Sequence, residues 1–141
     1  MQALQPEHLT KLEQARVARL ATADKDGKPH CVPVCFCHWE GRLFIALDEK
    51  PKRVEVKQLK RMRNIEENPQ ATLLVDHFDE DWQHLWFLMI ESRATMEILP
   101  ERARQRLMEK YPQYRFQTLE QAIVLEPQRC VAWQYKSEEA G

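Results

Sequence analysis

The sequence predicts a mainly β protein, a small antiparallel split β-barrel of six strands with flanking helices. Three observations predict the strand-rich class. Asp26-Gly27 and Glu40-Gly41 each separate two apolar runs, as hairpin turns do. Apolar residues recur at helical spacing only in short stretches, so helices flank the strands and do not alternate with them. The chain has no βαβ rhythm and no G-x-G-x-x-G, which sets aside a parallel dinucleotide-binding sheet.

The elements follow in order. Residues 6–14 read as a short helix opened by Pro6, with Leu9 and Leu12 on one side. Residues 16–22, RVARLAT, form a first strand, and His30–Trp39 a second. In the second strand Val32, Val34 and Phe36 share one face and Cys31, Cys35 and Cys37 the other. Residues 42–48 form a third. From residue 53 to 67 the period changes: Val56, Leu59, Met62 and Ile65 recur every three, as on a helix face, and Asn68-Pro69 ends the run. A fourth strand covers 71–78, and 82–98 is one long or two short strands. Residues 100–111 form another helix, bounded by Pro100 and Pro112, and 121–126 and 130–135 supply the last strand material. The reading is one domain over 1–141 with a mobile tail at 136–141.

Composition narrows the function. With 43% apolar and 30% charged residues, and no apolar run near the roughly 20 residues of a membrane helix, the expectation is a globular protein without a membrane partner. The first sixteen residues lack the charged-then-apolar order of a signal peptide, which suggests a cytoplasmic location. Four cysteines fit that compartment as reduced thiols. In a strand, Cys31 and Cys35 would lie about 13 Å apart, beyond the roughly 7 Å between Cα atoms that a disulfide spans. Their spacing is not a zinc pattern, so they read as small packing groups. No P-loop, G-x-S-x-G or H-E-x-x-H is present. His77, Asp79 and Asp81 form an acidic loop without an established metal pattern and read as a solvated turn.

The most informative segment is 50–63, KPKRVEVKQLKRMR. It carries seven basic residues and one acid, a charge of +6 in a chain of net charge −1. It lies where an apolar strand runs into a helix, the natural place for a phosphate, since helix-start N–H groups add to the side-chain charge. A sequence pI of about 6.5 argues against a nucleic-acid surface, whose domains commonly exceed a pI of about 9.

The ordered set L-A-T, D-G-x-P-H, V-P-V, K-P-K-R and R-N-I-x-x-N-P, followed by an aromatic strand, resembles the flavin-binding split-barrel proteins related to pyridoxamine 5′-phosphate oxidase. The resemblance is nearest to the subgroup that includes deazaflavin-dependent reductases. It is clear over about residues 8–98 and looser beyond. It implies a homodimer with two cofactors at the subunit interface, FMN first and the deazaflavin coenzyme F-420 as the alternative. Lys52 and Arg53 are the first phosphate ligands it implies, then Lys50 and Lys57, with Arg61 and Arg63 as possible helpers. Leu20, Ala21, Thr22, Pro33 and Val34 would line the groove for the ring, and Trp82 and Trp86 would border the partner's cofactor. His30 is expected to be structural or groove-lining.

The implied activity is that of a flavin-dependent oxidoreductase acting on a small molecule, with a flavin carrier or redox sensor as the alternative. No residue stands out as a general base, which suits chemistry performed by the cofactor. The ending AWQYKSEEAG lacks the arginine-rich pattern of the oxidases proper, so vitamin B6 oxidation is not the expected reaction.

Overall fold

Alternation along two strands organises the molecule. In the computed structural model, which describes residues 3–47 and 59–136, β4 (Arg42–Ala46) and β7 (Gln121–Gln134) are buried on both faces over their paired segment. Leu43, Ile45, Ile123 and Leu125 point into a barrel core with Leu20, Leu73, Leu88 and Ile90. Their neighbours Phe44, Ala46, Ala122 and Val124 point the other way, into a second core under α3 (Glu101–Lys110). A period of two with apolar residues at every position requires cover on both sides, and α3 supplies it through Ala103 and Leu107.

The sheet has seven strands, all paired antiparallel, in the order β2-β1-β5-β6-β7-β4-β3. The remaining strands are β1 (Ala18–Ala23), β2 (Pro29–Val34), β3 (Cys37–Trp39), β5 (Gln70–His77) and β6 (Trp86–Ile98). Both predicted hairpins form. At the first, Gly27 has φ +84° and donates to the Asp24 carbonyl at 3.1 Å. The Asp24 carboxylate accepts from the Asp26 and Lys28 amides at 2.9 Å each. At the second, Glu40 and Gly41 have φ of +50° and +76°, the positive pair that a two-residue hairpin requires.

Several boundaries differ from the sequence reading. The strand expected over 30–39 breaks at Cys35–Phe36, so seven strands form and not six, and the sheet does not close. Residues before the break pair with β1 and those after it with β4, which stand near opposite ends of the sheet order, and one unbroken strand could not follow both. Helix α2 is described over Lys60–Glu67, with Met62 and Ile65 buried as the spacing predicts. Val56 and the start of the expected helix lie outside the described residues, as do 137–141 of the expected tail. Trp82–His84 is a single 3-10 turn, not strand. Gln121–Gln134 is continuous, its ladder with β6 shifted by a bulge near Glu91 and Ser92. The 3-10 turn Pro112–Phe116 had no counterpart in the sequence reading.

β2 and β3 are the two rims of the sheet, yet only Cys35 and Phe36 separate them. Their ends are therefore within about 11 Å, three Cα steps of 3.8 Å. The sheet must curl until its rims face each other. The corner is pinned by the ends of two helices. The Phe36 amide donates to Tyr111 Oη at 3.3 Å, and Tyr111 Oη donates to the Arg16 carbonyl at 3.1 Å. Lys110 Nζ lies 3.8 Å from the Phe36 ring centroid.

The same two helices cap each other. Lys110, the last residue of α3, donates from Nζ to the Leu12 carbonyl in the last turn of α1 (Pro6–Gln14) at 2.9 Å. Arg16, just beyond α1, donates to the Lys110 carbonyl at 2.6 Å. Each cation meets carbonyls that a helix C-terminus leaves unpaired.

Burial pulls the pKa of the Lys110 ammonium down to about 8; Cys37, Cys35 and Glu13 act more weakly in the opposite sense, and the like charge of Arg16 adds to the lowering. A lowered amine pKa means that the unfolded chain holds this proton more tightly. The Lys110 contribution to stability therefore rises with pH between about 8 and the usual lysine value of 10.5. The expected outcome, by urea unfolding, is that wild type gains up to about 2 kcal/mol relative to Lys110→Met across that window, after discounting for partial solvent screening. Cys37, whose pKa burial raises, acts in the opposite sense above about pH 9 in both proteins and largely cancels. A flat difference would show that the ammonium is well solvated.

Candidate functional site at the barrel seam

A cavity of about 230 Å³ opens between β2 and the end of β4 that β3 does not cover. β2 contributes Pro33 and Val34 with the following Cys35, β4 contributes Ile45 and Ala46, and α2 contributes Arg61. Pro33 suits this rim because it has no N–H to offer a further strand. Val34 is buried, and Pro33 is exposed on the other face.

Arg61 is the polar feature of the seam. Its Nε is buried and has no hydrogen-bond partner among the described residues. Leaving such a donor unpaired costs about 1–3 kcal/mol, so the position calls for an acceptor. The backbone leaves β4 at Ala46 beside this cavity and returns at Leu59, two residues before Arg61. Lys50, Lys52, Arg53 and Lys57 lie on the connecting segment, outside the described residues.

The L-A-T strand divides between two environments. Leu20 is fully buried in the barrel core and lines neither this cavity nor the outer groove beside Ala21. Thr22 is also buried, and its Oγ1 accepts from Asn64 Nδ2 at 3.1 Å, tying β1 to α2. Ala21 points outward and, with Thr22, lines a different and more polar groove of about 590 Å³ that includes Glu91, Arg93 and Arg129. His30 stands opposite Thr22 across the β1–β2 ladder, and its buried Nδ1 has no partner among the described residues.

The two tryptophans are not at the seam. Trp82 sits in the 3-10 turn and is 60% exposed, so it lies outside the strand expected to begin there. Trp86 packs partly on the barrel core, with Lys11 Nζ 5.0 Å above its ring and His77 stacked on it at 6.3 Å. Trp86 also borders an apolar groove of about 420 Å³ with Leu74, Phe87, Met89 and Trp133. Arg63 is exposed. The acidic loop is a set of surface contacts in which His84 Nδ1 lies 3.4 Å from Asp79. Among the described residues no group of three or more His, Cys, Asp or Glu side chains could hold a metal ion.

Sequence reasoning assigned Arg61 only a supporting role and passed over Cys35, Ile45, Ala46 and Tyr114 at the seam. The sequence reading places 42–48 in a strand without singling out Ile45, which lies in the barrel core. Only the folded position of β4 opposite β2 brings it to the cavity.

The chain's place among known proteins follows from this architecture. The family model described as pyridoxamine 5′-phosphate oxidase matches residues 4–134, nearly the whole chain. The chain belongs to that family. A putative pyridoxamine 5′-phosphate oxidase from Listeria innocua is 25% identical, with 89% of this chain and 92% of that one covered and a TM-score of 0.60. An FAD-binding protein from Mesorhizobium loti is 19% identical over 92% and 94% of the two chains, TM-score 0.62. The heme storage protein HutZ from Vibrio cholerae is 18% identical over 95% of each, TM-score 0.68. The likeness to the last two establishes the split-barrel fold alone. No curated protein sequence matches the chain.

The cysteines give a direct check on the strand break. Cys31 is exposed, whereas burial pushes the Cys37 thiol up to about 12. Since the thiolate is the reactive form, iodoacetamide at pH 8 is expected to label Cys31 and leave Cys37 unmodified until the protein is denatured. Peptide mapping that found Cys37 labelled in the native state would contradict its position under α3.

Proposed function

We propose that this family member binds a flavin, FMN in the first instance, against the seam between β2 and β4, and works as an oxidoreductase on a small molecule. The observation that carries the reading is the buried, unpaired Arg61 Nε in a cavity with Pro33 and Val34, at the end of the basic segment 50–63. These residues fit such a cofactor. Lys52 and Arg53, seconded by Lys50 and Lys57, would hold the phosphate by charge-assisted hydrogen bonds. Arg61 would donate Nε to an acceptor on the ring or the phosphate, and Pro33 and Val34 would bear on the ring's apolar edge. A bound flavin supplies hydride or electron transfer, so the side chains have only to bind, orient and exclude water. The deazaflavin coenzyme is the alternative ligand, because its phosphate and planar ring need the same groups.

The proposed working form is a homodimer. Leu74, Met89, Phe87, Val131 and Trp133 point outward from β5, β6 and β7. Phe87 and Trp133 stack at 5.8 Å, and Trp133 is 44% exposed. An apolar, aromatic sheet face of this kind suits burial against a second copy. It would carry Trp86 toward the partner's seam.

Fluorescence titration of apoprotein with FMN, and separately with the deazaflavin coenzyme, tests the cofactor. Saturable binding of one is expected, weakened about 10- to 150-fold in Arg61→Ala and more in Lys52→Ala/Arg53→Ala, at about 1.5–3 kcal/mol per charged partner. Equal affinity in all three proteins would remove the seam as the site. Light scattering is expected to give twice the 16.8 kDa chain mass, and Trp133→Glu is expected to give the monomer.

A further inference from the structure

A second cavity, of about 360 Å³, lies on the far side of the Cys35–Phe36 corner, between α1, β3 and α3. Glu13, Arg16, Cys37, His38, Arg106 and Lys110 line it. We propose that Lys110 captures a small carbonyl compound bearing a carboxylate, a 2-oxo acid or an aldehyde acid, as a reversible imine in this cavity. The site is separate from the seam and does not depend on flavin binding.

The chemistry is laid out by neighbouring groups. Lys110 supplies a half-buried amine, and it makes no ion pair with a carboxylate among the described residues. Its neighbours are the Leu12 carbonyl and the rings of Phe36 and Tyr111. A neutral amine keeps the bond to the carbonyl through one N–H and leaves its lone pair free. Burial brings Lys110 down to about 8, so a sizeable fraction is neutral near pH 7.5. The adjacent Cys37 thiol is held protonated and donates to the Ala103 carbonyl at 3.5 Å, so it does not compete as a nucleophile. His38 Nε2 lies 3.0 Å from Glu13 Oε1, a pair able to take and return a proton. Arg106, exposed at the rim and without an ion-pair partner among the described residues, is available for the carboxylate.

The step balances without a further reagent. The Lys110 lone pair attacks the carbonyl carbon and a C–N bond forms. The carbonyl oxygen gains a proton as the nitrogen loses one, by way of His38. Protonation of the resulting hydroxyl by His38 lets the C–O bond break as the nitrogen lone pair forms the C=N bond; water leaves, and the iminium returns its proton to His38 to give the imine. The charged and titratable groups facing Lys110 are Glu13 and Arg16 from the α1 end, Cys35, Cys37 and His38 from the corner and β3, Arg106 and Glu109 from α3, and Tyr111 just beyond it.

The test is reductive trapping of the full chain with glyoxylate and cyanoborohydride, followed by peptide mapping. One dominant adduct at Lys110 is expected at pH 7.5, formed roughly 10-fold or more faster than at exposed lysines, with a rate midpoint near pH 8. Arg106→Ala, which alters an exposed side chain, is expected to slow trapping of glyoxylate severalfold and to leave trapping of uncharged acetaldehyde unchanged. Lys110→Arg is expected to abolish the adduct while keeping the cation. Adducts spread over surface lysines, or confined to the amino terminus, would overturn the proposal. So would an Arg106→Ala protein that treats the two aldehydes alike.

Discussion

The rest of the fold depends on a two-residue connection. Cys35 and Phe36 join strands that stand at opposite ends of a seven-stranded order. A sheet whose first and last members are tethered so closely cannot lie flat, and twist alone would not bring its rims together. The corner also accounts for the shape of both cavities. The seam lies on one side of it and the Lys110 cavity on the other, and the side chains at the corner serve both. Phe36 seals the barrel core under Lys110, while Cys35 and Cys37 line different spaces.

Around this corner the protein divides into a firm wall and an open margin. β6 and β7 pair over most of their length, and with β5 they present a broad outward face and a fully packed inward one. The margin consists of β2 and β3, where pairing is one-sided or short. Binding groups belong at such a margin, because backbone there is free to meet a ligand while the wall fixes its position. The helix ends reinforce the arrangement. Arg16, Lys110 and Tyr111 tie α1 and α3 to the corner through backbone carbonyls, so the corner does not rely on apolar packing alone.

Much of the architecture is legible in the residues themselves. Asp26-Gly27 and Glu40-Gly41 mark two hairpins because only a narrow set of residues tolerates the positive φ that these turns need. Asn68-Pro69 stops α2 for an equally local reason. The break in the second strand is not legible. Val32, Val34 and Phe36 continue a perfect alternation, and what interrupts it is the change of partner strand from β1 to β4 across Cys35 and Phe36. Trp82 misleads for a similar reason: a spacing of four places two side chains on one face only if the backbone between them is extended, and Asp81 instead caps a turn by accepting from the Gln83 amide. At the site, charge and motif pointed to the region following β4. The orphaned nitrogen of Arg61 is a property of three-dimensional surroundings, and no pattern in the chain announces it.

The rims carry a consequence for how copies of this protein meet in a crowded solution. β2 has prolines at positions 29 and 33, and β3 is only three residues long. A proline removes a donor from the row that an incoming strand would have to match, and a three-residue strand offers too short a template. Runaway lateral growth of the sheet, the route toward fibrils, is therefore obstructed at both margins. The obstruction comes from the same backbone features that keep the barrel split.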